Sequence, residues 1–346
     1  MSSSADEDTS PAFAVSIGQN VTELRMNLIL NLNELSDPTQ FNMISIGQYV
    51  TDLRIHLQFN GMDGHVDGYG GETMNFIIGL VEKNRRLRKL AISENRILSC
   101  HVDRLCSVVL NHDSLVELDL WQSVHDPGVG NEILRRLLTS DLKLEKLNMR
   151  DARITSEVSV LVANFIANNR RMIELDIAQN DLNVRDVELI ANALRSNITL
   201  RRLYIRSCYN FRPGETYDTS YTYGLVLSRF VCDESSLNAV ADSNHRCSLD
   251  CLNWDNHINN SSDVMEDNKG RKIYALLSSR HLNGAMSNVQ HFRDMDVKIL
   301  PDMLEAVQKY GKIKGKYGSE PKVKSVSIVF EFMRKWEKVI NFYEHS

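Results

Sequence analysis

Met172-Ile-Glu-Leu175-Asp-Ile177-Ala-Gln-Asn180-Asp-Leu182 decides the fold. Its apolar residues fall at steps 0, 3, 5 and 10, with an asparagine at step 8. Alternation through Leu175 and Ile177 predicts a short strand with one face buried. Asn180 is then expected to turn the chain and satisfy backbone groups that the turn leaves free. One such unit cannot bury its own apolar face, so it requires neighbours of the same kind.

The neighbours are present on both sides. Upstream lie Leu144-x-x-Leu147-x-Met149 with Ile154 closing, Leu115-x-x-Leu118-x-Leu120, and Leu87-x-x-Leu90-x-Ile92-x-x-Asn95-x-Ile97. Downstream lies Leu200-x-x-Leu203-x-Ile205-x-x-Cys208. First residues differ by 115−87 = 28, 144−115 = 29, 172−144 = 28 and 200−172 = 28, a period that chance does not sustain over five units. Ser123 and Ala152 stand in slots where the pattern asks for asparagine. Alanine has no side-chain polar group, so water or a neighbouring turn must supply the missing bonds.

Between strands the period switches from two to helical. Val158, Leu161, Val162, Phe165 and Ile166 share one face of Ser156 to Asn168, and Val187, Ile190, Ala191 and Leu194 share one face of Val184 to Leu194. Each unit thus reads as strand, turn, helix. On these residues the chain resembles the ribonuclease-inhibitor class of leucine-rich repeat proteins. The resemblance implies an α/β solenoid, a horseshoe with parallel strands inside and helices outside. It says almost nothing about activity.

Ile17 to Leu28 recurs as Ile46 to Leu57 at an offset of 46−17 = 29, which adds two N-terminal units with strands Val21-x-x-Leu24-x-Met26 and Val50-x-x-Leu53-x-Ile55. A glycine-rich stretch, Gly61 to Gly71, then lengthens the interval to 87−50 = 37 and reads as a flexible insert. It lacks the Lys-Ser/Thr ending of a phosphate loop and the spaced acids and closing Glu of a calcium loop. After Ile205 the rhythm breaks at Tyr209 to Cys232, with Tyr209, Tyr217, Tyr221 and Tyr223, and resumes at Leu249-x-x-Leu252-x-Trp254. Ser235 to Leu249, with its Ser-Asn-His triplet, resembles a segment of uncharacterised leucine-rich repeat proteins of single-celled algae.

Three helical stretches follow: Gly270 to Leu282, Asp296 to Gln308 with Pro301 either opening or kinking it, and Val326 to Phe342. They suit a cap, because a solenoid exposes an apolar face at its end. The expected organisation is a disordered segment 1–13, a solenoid over 14–258 with insertions near 58–72 and 209–235, and a helical cap over 259–346 with a Lys-rich loop at 311–324.

At 346 residues with 42% hydrophobic and 25% charged residues, composition is that of a soluble protein with a large core. A net charge of −5 argues against broad nucleic-acid or anionic-membrane binding. No run of eighteen apolar residues predicts a membrane span, and the first residues lack a basic segment followed by an apolar one, so the expected location is cytoplasmic, with nuclear possible. The cysteines show no disulfide framework. His245-x-Cys247-x3-Cys251-x5-His257 mixes the order that structural zinc uses, and Cys251 and Leu252 read as strand residues, so no metal is expected. No GxSxG, HExxH, kinase or Walker motif is present, so the expectation is no enzyme, no cofactor and no small-molecule substrate.

The remaining reading is a protein-interaction scaffold. Eight strands about 4.8 Å apart would span roughly 34 Å, enough for about 800 Å² per partner. The outward residues after the second apolar position are Arg25, Arg54, Ala91, Asp119, Asn148, Asp176, Tyr204 and Asn253. Two residues on they are Asn27, His56, Ser93, Trp121, Arg150, Ala178, Arg206 and Asp255. Trp121, Arg150, Tyr204 and Arg206, with Asp119 and Asp176, form the candidate partner-binding set, because Trp, Tyr and Arg dominate binding hot spots. Against this stands the reading that neighbouring Arg and Asp merely pair and a loop covers Trp121. The resemblance also raises a regulator of a small GTPase, since Ran GTPase-activating proteins share the repeat class; their long acidic tail is absent here. A ubiquitin-ligase receptor would need an F-box-like segment where 14–60 is already repeats.

Overall fold

A computed structural model describes residues 23–31, 50–60, 69–93, 96–206, 218–252, 259–261, 267–282, 288, 292, 294–311, 328–329 and 332. They form a mixed α/β chain of short parallel strands alternating with helices. The chain divides into two compact units, Met1–Val158 with Asp176–Asp181, and Ser159–Leu175 with Leu182–Ser346. The expected N-terminal segment, Asn95, most of the Gly61–Gly71 insert, Tyr209, Tyr217, His257 and nearly all of the Lys-rich loop lie outside the described residues.

In the first unit the strands β1 (Glu23–Asn31), β2 (Asp52–Asn60), β3 (Lys89–Ala91), β4 (Glu117–Asp119) and β5 (Lys146–Asn148) pair in chain order. Leu53, Leu90, Leu118 and Leu147 are in register, so the second apolar position of each repeat stacks on the next. Each is at most 2% exposed. Helices α1 (Tyr69–Lys83), α2 (Ser99–Asn111) and α3 (Pro127–Thr139) cover the apolar face with Met74, Ile77, Leu105, Val109, Ile133 and Leu137. The start of α1 corrects the insert: Gly70 and Gly71 belong to the first turn of a helix. Glycine weakens a helix interior but costs less in the first turn, where Met74, Ile77 and Ile78 are buried close behind. Asp126 starts α3 by accepting a bond from Gly128 N at 2.7 Å, with Pro127 behind it.

In the second unit α4 (Ser159–Asn168) and α5 (Val184–Leu194) match the expected helices, α4 after a single tighter turn at Ser156–Val158 that belongs to the first unit. Asn183 and Asp186 cap α5 reciprocally. Strand β6 (Glu174–Asp176) contributes Glu174 and Leu175 here and Asp176 to the first unit. Strand β7 (Arg202–Tyr204) pairs with β8 (Ser248–Leu249). The region expected as an insertion contains α6 (Asp218–Val231), followed by α7 (Leu237–Ala241). Beyond them α8 (Asn268–Leu282) and α9 (Leu300–Tyr310) pack together around Ile273, Leu277, Phe292, Met303 and Val307. Pro301 sits in the first turn of α9, so it opens the helix and does not kink it.

The last strand corrects the sequence reading. Leu203 pairs with Leu249, whereas Cys251 and Leu252 lie in the turn beyond. The cause is Asn244. Its Oδ1 accepts bonds from Arg246 N and Cys247 N, both at 2.8 Å, and its Nδ2 donates to Leu194 O at 2.6 Å. That fixes Cys247, 0% exposed, as the first buried position of the repeat. Asn197 acts in the same way, accepting from Thr199 N and Leu200 N and donating to Ile166 O. In the first unit Asn84 donates to Val50 O at 2.8 Å and accepts from Arg86 N. Each of these asparagines stands three residues ahead of the first apolar residue of its own repeat and pins the helix-to-strand turn.

Candidate interaction surface

Three lateral rows make up the strand face of the first unit. The row before the second apolar position holds Asp52, Lys89, Glu117 and Lys146. Its charges alternate and pair: Lys89 reaches Glu117 at 3.3 Å, Lys146 reaches it at 2.6 Å, and Arg54 reaches Asp52 at 3.5 Å. Burial pushes the Glu117 carboxyl up, yet the two lysines together hold it below the ordinary carboxylate range. This row is internally compensated. The candidate set omits it, although opposite charges recurring at 117−89 = 28 and 146−117 = 29 are visible in the sequence.

The second row follows the second apolar position. Arg54, Ala91, Asp119 and Asn148 lie in register across β2 to β5. Asp119 accepts a bond from Trp121 N at 3.0 Å, Asn148 from Arg150 N at 2.9 Å, and Asp176 from Ala178 N at 2.9 Å. Asp119 and Asp176 therefore carry a local task, holding the backbone where the strand ends. Burial raises the Asp119 carboxyl, opposed by the Trp121 N–H and by the charge of Arg54.

The third row contains Trp121 and Arg150, both half-buried. Backbone bonds Leu120 N to Asn148 O at 2.9 Å and Gln122 N to Arg150 O at 3.1 Å set these two residues side by side. Each precedes a residue in the left-handed region: Gln122 at φ 51°, Asp151 at φ 50°, with Gln179 at φ 60° in the next repeat. The side chains of these turns interlock, Gln122 Nε2 donating to Asp151 Oδ2 at 3.0 Å and Arg150 Nε to Gln179 Oε1 at 2.9 Å. The Trp121 indole N–H is buried and makes no hydrogen bond among the described residues. Ala178, expected outward, is 1% exposed. The chain has already bent there, because Asp176 takes its N–H and Asn180 Nδ2 donates to its carbonyl at 3.2 Å.

Trp121, Arg150, Asp119 and Asp176 thus belong to the first unit. Tyr204 and Arg206 belong to the second, where Tyr204 is half-buried on β7 and Arg206 is exposed just beyond it. Arg202 on the same strand pairs with Glu174 at 3.3 Å.

The two atypical slots are filled in different ways. Ser123 Oγ donates to Ile92 O itself. Ala152 is served by Asn180 of the following repeat, whose Oδ1 accepts from Ala152 N at 3.0 Å and Ile154 N at 2.9 Å. Among the described residues no group of three or more His, Cys, Asp or Glu could hold a metal, and no helix is long and apolar enough to cross a membrane.

No family model matches the chain. The chain is similar to two proteins of Mus musculus. It is 30% identical over 126 residues, 36% of this chain, to NACHT, LRR and PYD domains-containing protein 12, and 30% identical over 105 residues, 30% of this chain, to NACHT, LRR and PYD domains-containing protein 14. These matches span 12% and 10% of the relatives' own lengths. They support a leucine-rich repeat relationship for the matched stretch. A solved structure of leiomodin-1 actin-binding site 2 gives a TM-score of 0.33 at 18% identity, over 44% of this chain and 86% of that one, too slight a likeness to carry an argument.

Proposed function

We propose that this chain is a non-catalytic protein-interaction module that takes a protein partner on the strand face around Trp121 and Arg150. The observation that carries the reading is the Trp121–Arg150 pair: two residue types that dominate hot spots, adjacent and half-buried, on turns braced by their neighbours. Bracing lowers the ordering cost of binding. The paired row of Lys89, Glu117 and Lys146 forms the polar rim. On this reading the repeats form a horseshoe of the ribonuclease-inhibitor class, α8 and α9 belong to its cap, Tyr204 and Arg206 are contact residues of the second unit in their own right, and the protein works in the cytoplasm or nucleus without cofactor or small-molecule substrate.

Affinity capture with the full chain, followed by Trp121→Ala, Arg150→Ala and, on the outer helix α3, Arg135→Ala, tests the reading. Truncating a hot spot costs about 2 kcal/mol or more, roughly thirty-fold in affinity. Loss of partner with Trp121→Ala and Arg150→Ala at unchanged melting temperature, and retention with Arg135→Ala, is expected. Equal retention by all three moves the site elsewhere. Stimulated GTP hydrolysis across a panel of small GTPases would replace this reading with that of a GTPase regulator.

A further inference from the structure

A second surface of the first unit, independent of the strand face, lies on the turn between α1 and β3. Lys83-Asn84-Arg85-Arg86-Leu87-Arg88 places four cations in six residues with no acid among them, in a chain whose net charge is −5. All four side chains are exposed. Lys83, Arg85 and Arg88 have no ion-pair or hydrogen-bond partner for their side chains among the described residues.

Among the described residues the acids nearby are already taken. Glu82 accepts two bonds from Arg104, at 3.1 and 2.7 Å, and the carboxyl is lowered first by that contact. Asp113 is held by Lys143 at 2.6 Å, and Arg85 acts on it only as a more distant charge. Positive charge on this turn is therefore in surplus, unlike the compensated row of Lys89, Glu117 and Lys146.

The turn is also held in place. Asn84 Nδ2 donates to Val50 O at 2.8 Å, Asn84 Oδ1 accepts from Arg86 N at 3.1 Å, and the buried His112 ring bonds Asn84 O at 2.7 Å. Arg88 N and Lys89 N both donate to Thr51 O, at 2.7 and 2.9 Å. Arg88 O accepts in turn from Val116 N and Glu117 N. Repeats on either side thus fix the backbone that presents the cations, so binding costs side-chain freedom but little backbone freedom.

We infer that this pinned turn docks an acidic protein segment, an extended Asp- or Glu-rich stretch whose carboxylates pair with Lys83, Arg85 and Arg88. Guanidinium groups suit it because they meet carboxylates in bidentate fashion. An extended segment presents alternate side chains on one side about 6.6 Å apart, a spacing that several cations on one turn can meet.

The test uses the full chain and a fluorescein-labelled deca-glutamate peptide, with deca-glutamine as the neutral control, followed by fluorescence anisotropy. Binding of the glutamate peptide alone, weakening as salt shortens the screening length to about 10 Å at 0.1 M, is expected. Arg85→Glu combined with Arg88→Glu is expected to weaken it about tenfold or more at unchanged melting temperature, since Asn84 keeps the turn. Trp121→Ala is expected to bind the peptide like the wild type, which separates this surface from the strand face. Lys314→Gln combined with Lys316→Gln is likewise expected to retain it. No binding, equal binding by the Arg85/Arg88 variant, loss only in the Lys314/Lys316 variant, or tighter binding of duplex RNA or phosphatidylserine vesicles through Arg85 and Arg88 would each overturn the inference.

Discussion

Asn180 Oδ1 accepts hydrogen bonds from Ala152 N and Ile154 N, so a side chain of one repeat completes the turn of the repeat before it. Its Nδ2 donates to Met149 O and Ile177 O, both at 2.9 Å, and Asn180 is 5% exposed. Asn180→Ala would strand buried backbone groups at about 1 to 3 kcal/mol each. A loss of about 3 kcal/mol or more in urea unfolding is expected. Ala152→Asn, which restores the consensus residue, should not help: Ala152 is 0% exposed and its slot is already served, so overpacking of about 1 to 3 kcal/mol is expected.

Gly130 lies against the same turn. A Cβ there would stand 2.1 Å from Ala152 O, a backbone atom. Gly130→Ala is expected to cost about 1 to 3 kcal/mol or more, as the helix must move off the turn. Gly128→Ala is the internal control. Its Cβ would meet only the Asp126 carboxylate, at 3.2 Å, and its stability should stay within about 1 kcal/mol of wild type. Equal melting temperatures for the two variants would refute the close approach.

Leu175 is 0% exposed. Leu175→Ala should destabilise by about 2 to 5 kcal/mol through lost contacts and a residual cavity, read from thermal unfolding. Wild-type stability in this variant would mean that the repeat register is wrong.

Lys272 is 0% exposed, and its ammonium donates to Val231 O and Asn244 O, with no carboxylate partner among the described residues. Burial brings its pKa down to about 7, with Arg271 pushing the same way and Cys232 and Cys247 opposing. Between about pH 7 and the ordinary lysine value of 10.5 the unfolded chain binds more protons than the folded one. Stability carried by this group therefore rises with pH across that window and is lowest below it. The whole rise is a few kcal/mol at most, because a tenfold change in proton affinity is worth about 1.4 kcal/mol. Unfolding measured from pH 6 to 9 should show this rise, and Lys272→Met should flatten it.

The repeat architecture is legible in the sequence because Leu87, Leu115, Leu144, Met172 and Leu200 are fixed by period alone, and burial at each follows from the need to cover a strand face. The helix bounds of Val184–Leu194 are legible for the same reason. The β8 register is hidden because Cys247 fills a leucine slot, and only the role of Asn244 reveals it. At the candidate surface, residue types mark Trp121 and Arg150, but periodicity cannot tell an outward carboxylate from one bonded to the backbone two residues on. Asp119 and Asp176 do the latter. Nor can it show Ala178 turning inward, which depends on bonds made by Asp176 and Asn180 after the strand has ended.

Four asparagines reach backward along the chain, Asn84 to Val50, Asn197 to Ile166 and Asn244 to Leu194 at helix-to-strand turns and Asn180 to Met149 beyond its strand. Synthesis runs the other way. Each turn emerges from the ribosome before the side chain that completes it, so the amides of Ala152 and Ile154 rely on water until residue 180 has emerged behind them. Translation therefore sets a clock on assembly: these turns close one step behind the emerging chain, and a pause that holds such an asparagine inside the ribosome would prolong the life of an open turn.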